Sequence, residues 1–282
     1  MVKARIVNKT SKEIISQRLR LDFKNGYINS EQWFSKPELW YELTAFSNPY
    51  ITVYSELILL SQNLKATVEL LKNRALIFYG LGTGDTEIII VNALLKEQRF
   101  IEILGIDVQR QFIKGFIQSL KNIALEDTSY KINFVGINGL FQDISKKDIK
   151  TKLKQAHVIL GNTIGNFNED KIFNIFGQLM NKGDILFVGF QTDKKIEKTF
   201  RQYSENKMFN SFILKTVSGV KKLKWRINRK EHQIEAWDDG VLVFHSKKKN
   251  PTNMIKCAKS FGFSIRKGVN DDNTCLQVFE KI

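Results

Sequence analysis

From residue 61 to residue 190 the apolar positions fall into two alternating patterns. A helical stretch, SQNLKATVELLKN, leads into the apolar run ALIFYG, then a glycine turn, then the apolar-periodic DTEIIIVNALLKEQ. Apolar residues spaced by three and four predict an amphipathic helix, whereas a short unbroken apolar run bounded by turn residues predicts a strand buried on both faces. Three more runs of the second kind follow: IEILGID ending at Asp107, KINFVGI ending near Ile137 and HVILGN ending at Asn162. The helical segments VQRQFIKGFIQSLKNIA and NEDKIFNIFGQLMNK are interleaved with them, and a last run, DILFVGF, starts at Asp184. Such alternation predicts an α/β fold with a mostly parallel sheet covered on both faces.

After Phe190 the alternation stops. A helix is predicted over EKTFRQYSENKMFNSFILKTV, then two strands, KLKWRINRKEHQIEAW and GVLVFHSK, joined by a turn at Asp238-Asp239-Gly240. A helix, TNMIKCAKSFGF, and a strand pair, FSIRKGV and TCLQVFEKI, close the chain. Residues 1–60 read as mixed helix and loop, with aromatics concentrated in QWFSKPELWYELTAFSNPYITVY and punctuated by Pro37 and Pro49. The expected organisation is one domain over 61–190 plus 251–282, carrying the sheet. A smaller α+β domain over 1–60 plus 191–250 would lie across the sheet's ligand edge.

Composition narrows the function classes. With 43% hydrophobic and 26% charged residues the chain is neither disordered nor fibrous. No run approaches the roughly 18 apolar residues of a membrane span, and MVKARIVNKTSKEIISQRLR has no signal-peptide core, so no membrane role is expected. Cys257 and Cys275 form no CxxC, which excludes a cysteine metal site and suits a reducing, cytoplasmic setting. His157, His232 and His245 show no HxxxH or HExxH spacing, so no metal is expected and core or surface roles are assigned to them. The net charge of +15 would suit a nucleic-acid partner, but its lysines are scattered through a chain also rich in isoleucine and asparagine. The run Lys247-Lys248-Lys249 reads as a solvated loop.

The chemistry concentrates after two strands. Gly80, Gly82 and Gly84 stand between a strand and a helix, where they permit a tight turn that faces the helix N-terminus to a ligand. A dinucleotide GxGxxG would place its third glycine at position 85, which is Asp85. The GxGxG spacing suits S-adenosylmethionine, which has no pyrophosphate. Asp107 closes the next strand, 23 residues beyond Gly84, where a carboxylate can accept both ribose hydroxyls. A glycine-rich strand end with a chance acid is the competing reading. The second cluster is Gly161-Asn162-Thr163-Ile164-Gly165-Asn166-Phe167, after the fourth strand. Asn166 is a candidate to orient an acceptor amine, its amide oxygen taking an N–H while a lone pair stays free to attack. Its alternative role is to cap the following helix.

These segments resemble the histidine-specific S-adenosylmethionine-dependent methyltransferase family, members of which methylate the α-amine of histidine. Leu160 to Phe167 is similar to the family's substrate loop, and Gly183-Asp184 opens the next strand at a matching distance. Leu81-Gly82-Thr83-Gly84 resembles the cofactor turn, and Gly105-Ile106-Asp107-Val108 supplies the ribose acid. Tyr41-Glu42-Leu43-Thr44, continuing through Tyr50 to Glu56, resembles the N-terminal aromatic segment. The resemblance implies a Rossmann-like class I methyltransferase sheet, mostly parallel with an antiparallel last strand, and a second, smaller substrate domain. It also implies Tyr50 and Tyr203 on the substrate side, Tyr203 holding a substrate carboxylate; a half-buried helix aromatic is the alternative for Tyr203.

Four positions depart from the family pattern. Gly80 stands where the family has an acid, and Ile88 where it has a basic residue. Leu140, with Phe141 beside it, stands where an aspartate reads the adenine amine. Phe244 replaces the glutamate that recognises imidazole, while Ser246 is retained. An apolar residue there favours a less polar or aromatic acceptor. The expectation is therefore an S-adenosylmethionine-dependent N-methyltransferase acting, as a monomer, on the amine of a histidine-like or aromatic small molecule. Its cofactor set is Gly80, Gly82, Gly84, Asp107, Leu140 and Phe141. Its substrate set is Tyr50, Gly161, Asn166, Tyr203, Phe244 and Ser246, with Asn166 and Tyr203 catalytic. The rivals are an RNA or DNA base methyltransferase, for which Asn48-Pro49-Tyr50 offers a weak motif, and a non-catalytic cofactor-binding homologue.

Overall fold

The computed structural model describes residues 1–10, 33–44, 51–217 and 219–282. The apolar run Ala75–Tyr79 is buried along its whole length and forms β2, in the middle of the large sheet. On one side of it lie β3 (Phe100–Asp107), β4 (Lys131–Asn138) and β1 (Val2–Asn8), all parallel. On the other lie β5 (Gln155–Ile159) and β6 (Ile185–Gln191), also parallel, then β11 (Thr274–Lys281), antiparallel, and β10 (Phe263–Asn270) at the edge. The order reverses at β2 and β5, so the loops after these two strands part and open a crevice at their carboxyl ends.

Both faces of the sheet are covered. Helices α3 (Leu64–Leu71), α4 (Asp85–Glu97) and α5 (Arg110–Glu126) cover one face, with Leu59 and Leu60 of α2 (Ile51–Gln62) packed among them. Helices α6 (Glu169–Leu179) and α9 (Pro251–Ser260) cover the other. Periodicity explains their docking: α5 buries Phe112, Ile113, Phe116, Leu120 and Ile123, a single stripe, each side chain contributing roughly 1.5–3 kcal/mol by burial. His157 is a core residue, bonded to the Tyr79 hydroxyl at 2.7 Å and to Gln155 Oε1 at 2.9 Å, and burial pushes its pKa down to about 3.

A second, three-stranded antiparallel sheet is formed by β7 (Lys224–Asn228), β8 (Gln233–Asp238) and β9 (Val241–Lys247). Its apolar face packs on α1 (Pro37–Thr44), α7 (Ile196–Ser204) and α8 (Lys207–Thr216) through Trp33, Leu43, Tyr203, Phe209, Ile213 and Phe244. Asp239 and Gly240 both have positive φ, 44° and 80°, the two-residue hairpin turn expected at that site. Asn206 separates α7 from α8, its side chain accepting the Phe209 N–H at 2.9 Å.

Four expectations are corrected. Residues 2–8, read as helix and loop, are an edge strand paired in register with β4. Residues 1–60 are thus divided: β1 and α2 pack with the large sheet, Trp33 to Thr44 with the small one. KLKWRINRKEHQIEAW is two strands, β7 and β8, turning at Arg229–His232 with His232 at φ 49°. EKTFRQYSENKMFNSFILKTV is likewise two helices. Finally, the lysine run is no solvated loop: Lys248 and Lys249 are 1% and 0% exposed. The chain crosses between the two sheets here, Lys248 N–H bonding His232 O and Lys249 N–H bonding Gln191 O. Backbone pairing on both sides forces these side chains inward, the Lys249 ammonium finding the Phe167 carbonyl and Glu169.

Candidate functional site

The crevice at the ends of β2 and β5 is roofed by the aromatic face of the small sheet and its helices, and encloses about 1250 Å³ including its open mouth. Three turns build its floor. The first follows β2, where Gly80, Gly82 and Gly84 all have positive φ, which disfavours any other residue. At Gly84 a Cβ would also lie 2.5 Å from the Phe116 ring, so the turn sits directly on α5. The N–H groups of these glycines are spent inside the protein: Gly80 on Ile106 O, Gly82 on Asp107 Oδ2 and Gly84 on Leu81 O. The glycines therefore supply shape and close approach. The first turn of α4, Asp85 to Glu87, lines the cleft beside them.

Asp107, at the end of β3, faces the same space. Its oxygens accept the N–H groups of Gly82 at 3.1 Å and Gln109 at 2.7 Å, yet burial pushes its carboxyl up to about 7. Burial likewise raises Glu87 to about 8, with the charges of Glu56, Asp85 and Asp107 adding to it. The third turn follows β4. Leu140 and Phe141 line the cleft, Phe141 packing edge-on against Phe167 at 4.9 Å. Next to them Gln142 keeps its Oε1 buried without a hydrogen-bond partner.

The loop after β5 is held from below by a residue to which pattern reading assigned no role. Glu56 on α2 is 1% exposed and accepts the Gly161 N–H at 2.8 Å; burial pushes its carboxyl up to about 7. Gly189 on β6 makes room for it, since a Cβ there would lie 2.0 Å from Glu56 Oε2. Gly161 and Asn162 both have positive φ, and the turn Thr163–Asn166 follows. Asn166 lines the cleft and does not cap α6, whose N-cap is Asn168. Asn162 is fixed in one orientation: its Oδ1 accepts the Gln191 N–H at 3.0 Å and its Nδ2 donates to Ser246 Oγ at 3.1 Å.

The roof is aromatic. Phe244 and Ser246 of β9 line it with Trp33, Phe34, Trp40, Phe209 and Phe212. Phe244 lies 4.6 Å from the Trp33 ring and 5.0 Å from that of Phe209. Tyr203 is not on the lining. It is buried behind Phe244, its ring 5.5 Å away, and its hydroxyl bonds Gln191 Oε1 at 3.1 Å. Tyr50 lies outside the described residues. The structure thus gathers Gly80, Gly82, Gly84, Asp107, Leu140, Phe141, Gly161, Asn166, Phe244 and Ser246 in one cleft. Among the lining residues beyond that set are Trp33, Phe34 and Trp40, from a segment whose concentration of aromatics was visible in the sequence without its destination, and Phe209 and Phe212 of α8. Glu56 was marked only as the end of the segment that resembles the family's N-terminus and Lys248 only as part of a lysine run, because burial of a charged residue is not written in local pattern.

The cleft fits an adenosyl ligand: a carboxylate for a diol, a flat apolar slot at Leu140 and Phe141, and an orphaned acceptor on Gln142 beside it. The fold is similar to that of the PH0226 protein from Pyrococcus horikoshii OT3, with a TM-score of 0.54 at 11% identity, covering 89% of this chain and 99% of that one. An S-adenosylmethionine-dependent methyltransferase from Clostridium acetobutylicum ATCC 824 is similar at a TM-score of 0.49 and 9% identity, over 81% of this chain and 96% of that one. Among curated sequences, a structural maintenance of chromosomes protein 3 homolog from Plasmodium falciparum (isolate 3D7) is 26% identical over 180 residues. That match takes in 61% of this chain and spans only 14% of the relative's length. Residues 37–270, in contrast, match the family described as histidine-specific methyltransferase, SAM-dependent. Resting on that match and on the cleft, the chain belongs to the histidine-specific S-adenosylmethionine-dependent methyltransferase family.

Proposed function

We propose that this protein methylates the amine of a small aromatic molecule, in preference to histidine. The observation that carries the reading is Phe244, which puts a ring among Trp33 and Phe209 where an imidazole-recognising acid would have to stand. When bound, S-adenosylmethionine supplies a methyl carbon made electrophilic by its positively charged sulfur. Asp107 would hold the ribose hydroxyls, Leu140 and Phe141 the adenine plane, and Gln142 Oε1 the adenine amine. Asn166 would accept one N–H of the acceptor amine and leave its lone pair directed at the cleft. Glu56 fixes the loop that carries Asn166, so the amine is held without a mobile backbone beneath it. Positioning of this kind can supply roughly 7–11 kcal/mol of a barrier, so no strongly basic group has to stand at the reacting nitrogen.

The charge of +15 does not extend to the cleft. Among the described lining residues there is no lysine or arginine, and Asp85, Glu87 and Asp107 are acidic. A polyanion finds no basic side chain on that lining to neutralise its phosphates, which favours a small-molecule acceptor over RNA or DNA. The free thiols of Cys257 and Cys275 suit a reducing compartment. The test is transfer of a labelled methyl group from S-adenosylmethionine to a panel of histidine, aromatic amino acids, aryl amines and total RNA. Label is expected in the aromatic amines. Preference for histidine would overturn the reading of Phe244, and label in RNA would overturn the small-molecule reading.

A further inference from the structure

Behind the roof lies a lysine with, among the described residues, no acid against it. Lys248 Nζ is buried, donates to Ser246 Oγ at 2.8 Å and to Gln191 Oε1, and sits 4.6 Å above the Tyr203 ring. Ser246 Oγ receives a second hydrogen bond, from Asn162 Nδ2, whose orientation is set by the Gln191 N–H on the opposite amide atom. A serine oxygen has two lone pairs and one hydrogen. With both lone pairs engaged, Ser246 can act toward the cleft it lines only as a donor.

We propose that Ser246, backed by Lys248, forms an anion-recognising subsite, so that the acceptor molecule carries a carboxylate or comparable oxyanion on the part that meets β9. This rests on the small-molecule reading above and names the substrate class. The polarity is the reverse of what an acid at position 244 would select: Phe244 offers no acceptor, and Ser246 beside it presents a hydrogen, with the Lys248 amine donating to its oxygen from behind. Burial pushes the Lys248 ammonium well below the usual lysine range, with no carboxylate among the described residues beside it to raise it again. An entering anion favours the protonated form of Lys248 that burial disfavours, whereas an entering cation disfavours it further. The aromatic walls at Trp33 and Phe209 suit a planar body joining the oxyanion to the amine. Lys248 acts through Ser246 and is a positioning residue.

The test uses two nearly isosteric probes, 4-aminobenzoate and 4-aminobenzamidine, titrated calorimetrically into the full chain saturated with S-adenosylhomocysteine, so that the cofactor end of the cleft is occupied. Wild-type protein should bind the carboxylate at least roughly tenfold more tightly than the amidinium, as expected for one charge-assisted hydrogen bond. Ser246→Ala and Lys248→Met should each bring that ratio to within about threefold, the difference left when the charge-assisted bond is gone. Ser246→Ala leaves the fold's buried lysine in place and so guards against a Lys248 variant that does not fold. Equal or tighter binding of the amidinium overturns the proposal, as does an unchanged ratio in both variants or no binding of either probe by protein that binds S-adenosylhomocysteine. Failure to bind S-adenosylhomocysteine itself would overturn the cofactor reading instead.

Discussion

Replacing Asp107 with Asn examines the cofactor site at its best-defined atom pair. The carboxylate oxygens accept the N–H groups of Gly82 and Gln109, with the Leu81 N–H also directed at the carboxylate, and turn the remaining lone pairs to the cleft that Asp107 lines. A ribose diol would donate to those lone pairs, and a hydrogen bond to a charged acceptor contributes about 1.5–3 kcal/mol. Asn keeps one acceptor oxygen and loses the charge, so the loss is about 1.5–3 kcal/mol, or roughly a 10–100-fold rise in Kd for S-adenosylmethionine. The new amide NH2 must also face the N–H of Gly82 or Gln109. That donor pair destabilises the ligand-free fold by about 1–3 kcal/mol, visible as a lower Tm. The pH profile separates charge from shape. Burial holds the Asp107 carboxyl near 7, and the diol is read best by the ionised form. Wild-type affinity should therefore be full above about pH 7 and fall toward tenfold per unit below it, while the Asn variant shows no such slope. Isothermal titration at about pH 8 and about pH 6 measures both effects. An Asn variant that binds as tightly as wild type at the higher pH, or that keeps the slope, would refute the assignment of Asp107 to the ribose.

Three further outcomes are expected. Asn166→Ala should leave S-adenosylmethionine affinity intact and lower kcat roughly 10–100-fold, the worth of one orienting hydrogen bond; equal loss of binding and turnover would remove Asn166 from the acceptor side. Gly84→Ala combines a φ of +78° with a 2.5 Å contact to Phe116, so chemical denaturation should show a loss of about 2–4 kcal/mol from left-handed strain plus overpacking. His157 is held neutral in the core, its pKa lowered to about 3. Below its unfolded value of 6.5 the unfolded chain binds a proton that the folded one refuses, so this residue's contribution falls as pH drops, by about 1.4 kcal/mol per unit. The stability gap between wild type and His157→Gln should therefore narrow between about pH 6.5 and about pH 4; a constant gap would contradict a neutral buried imidazole.

The elements of the large sheet were legible in the chain because each strand run is apolar on both faces and each helix carries a single stripe, signals that depend on neighbours within one turn or pleat. The glycine turn, Asp107 and the loop to Asn166 could be read for the same reason: strand ends are local, and a parallel sheet brings them to one edge. β1 escaped notice because its alternation, VKARI, is short and mostly exposed, and because it stands far from the strand-helix repeat whose edge it completes. The burial of Lys248 and Lys249, the placement of Glu56 under Gly161, and the withdrawal of Tyr203 behind Phe244 were decided only by the tertiary structure. Each depends on partners separated from it in the chain, 105 residues between Glu56 and Gly161 and 57 between Lys248 and Gln191. Local pattern reports which face a residue turns toward the core; which polar group meets it there is determined by how the two sheets close over the cleft.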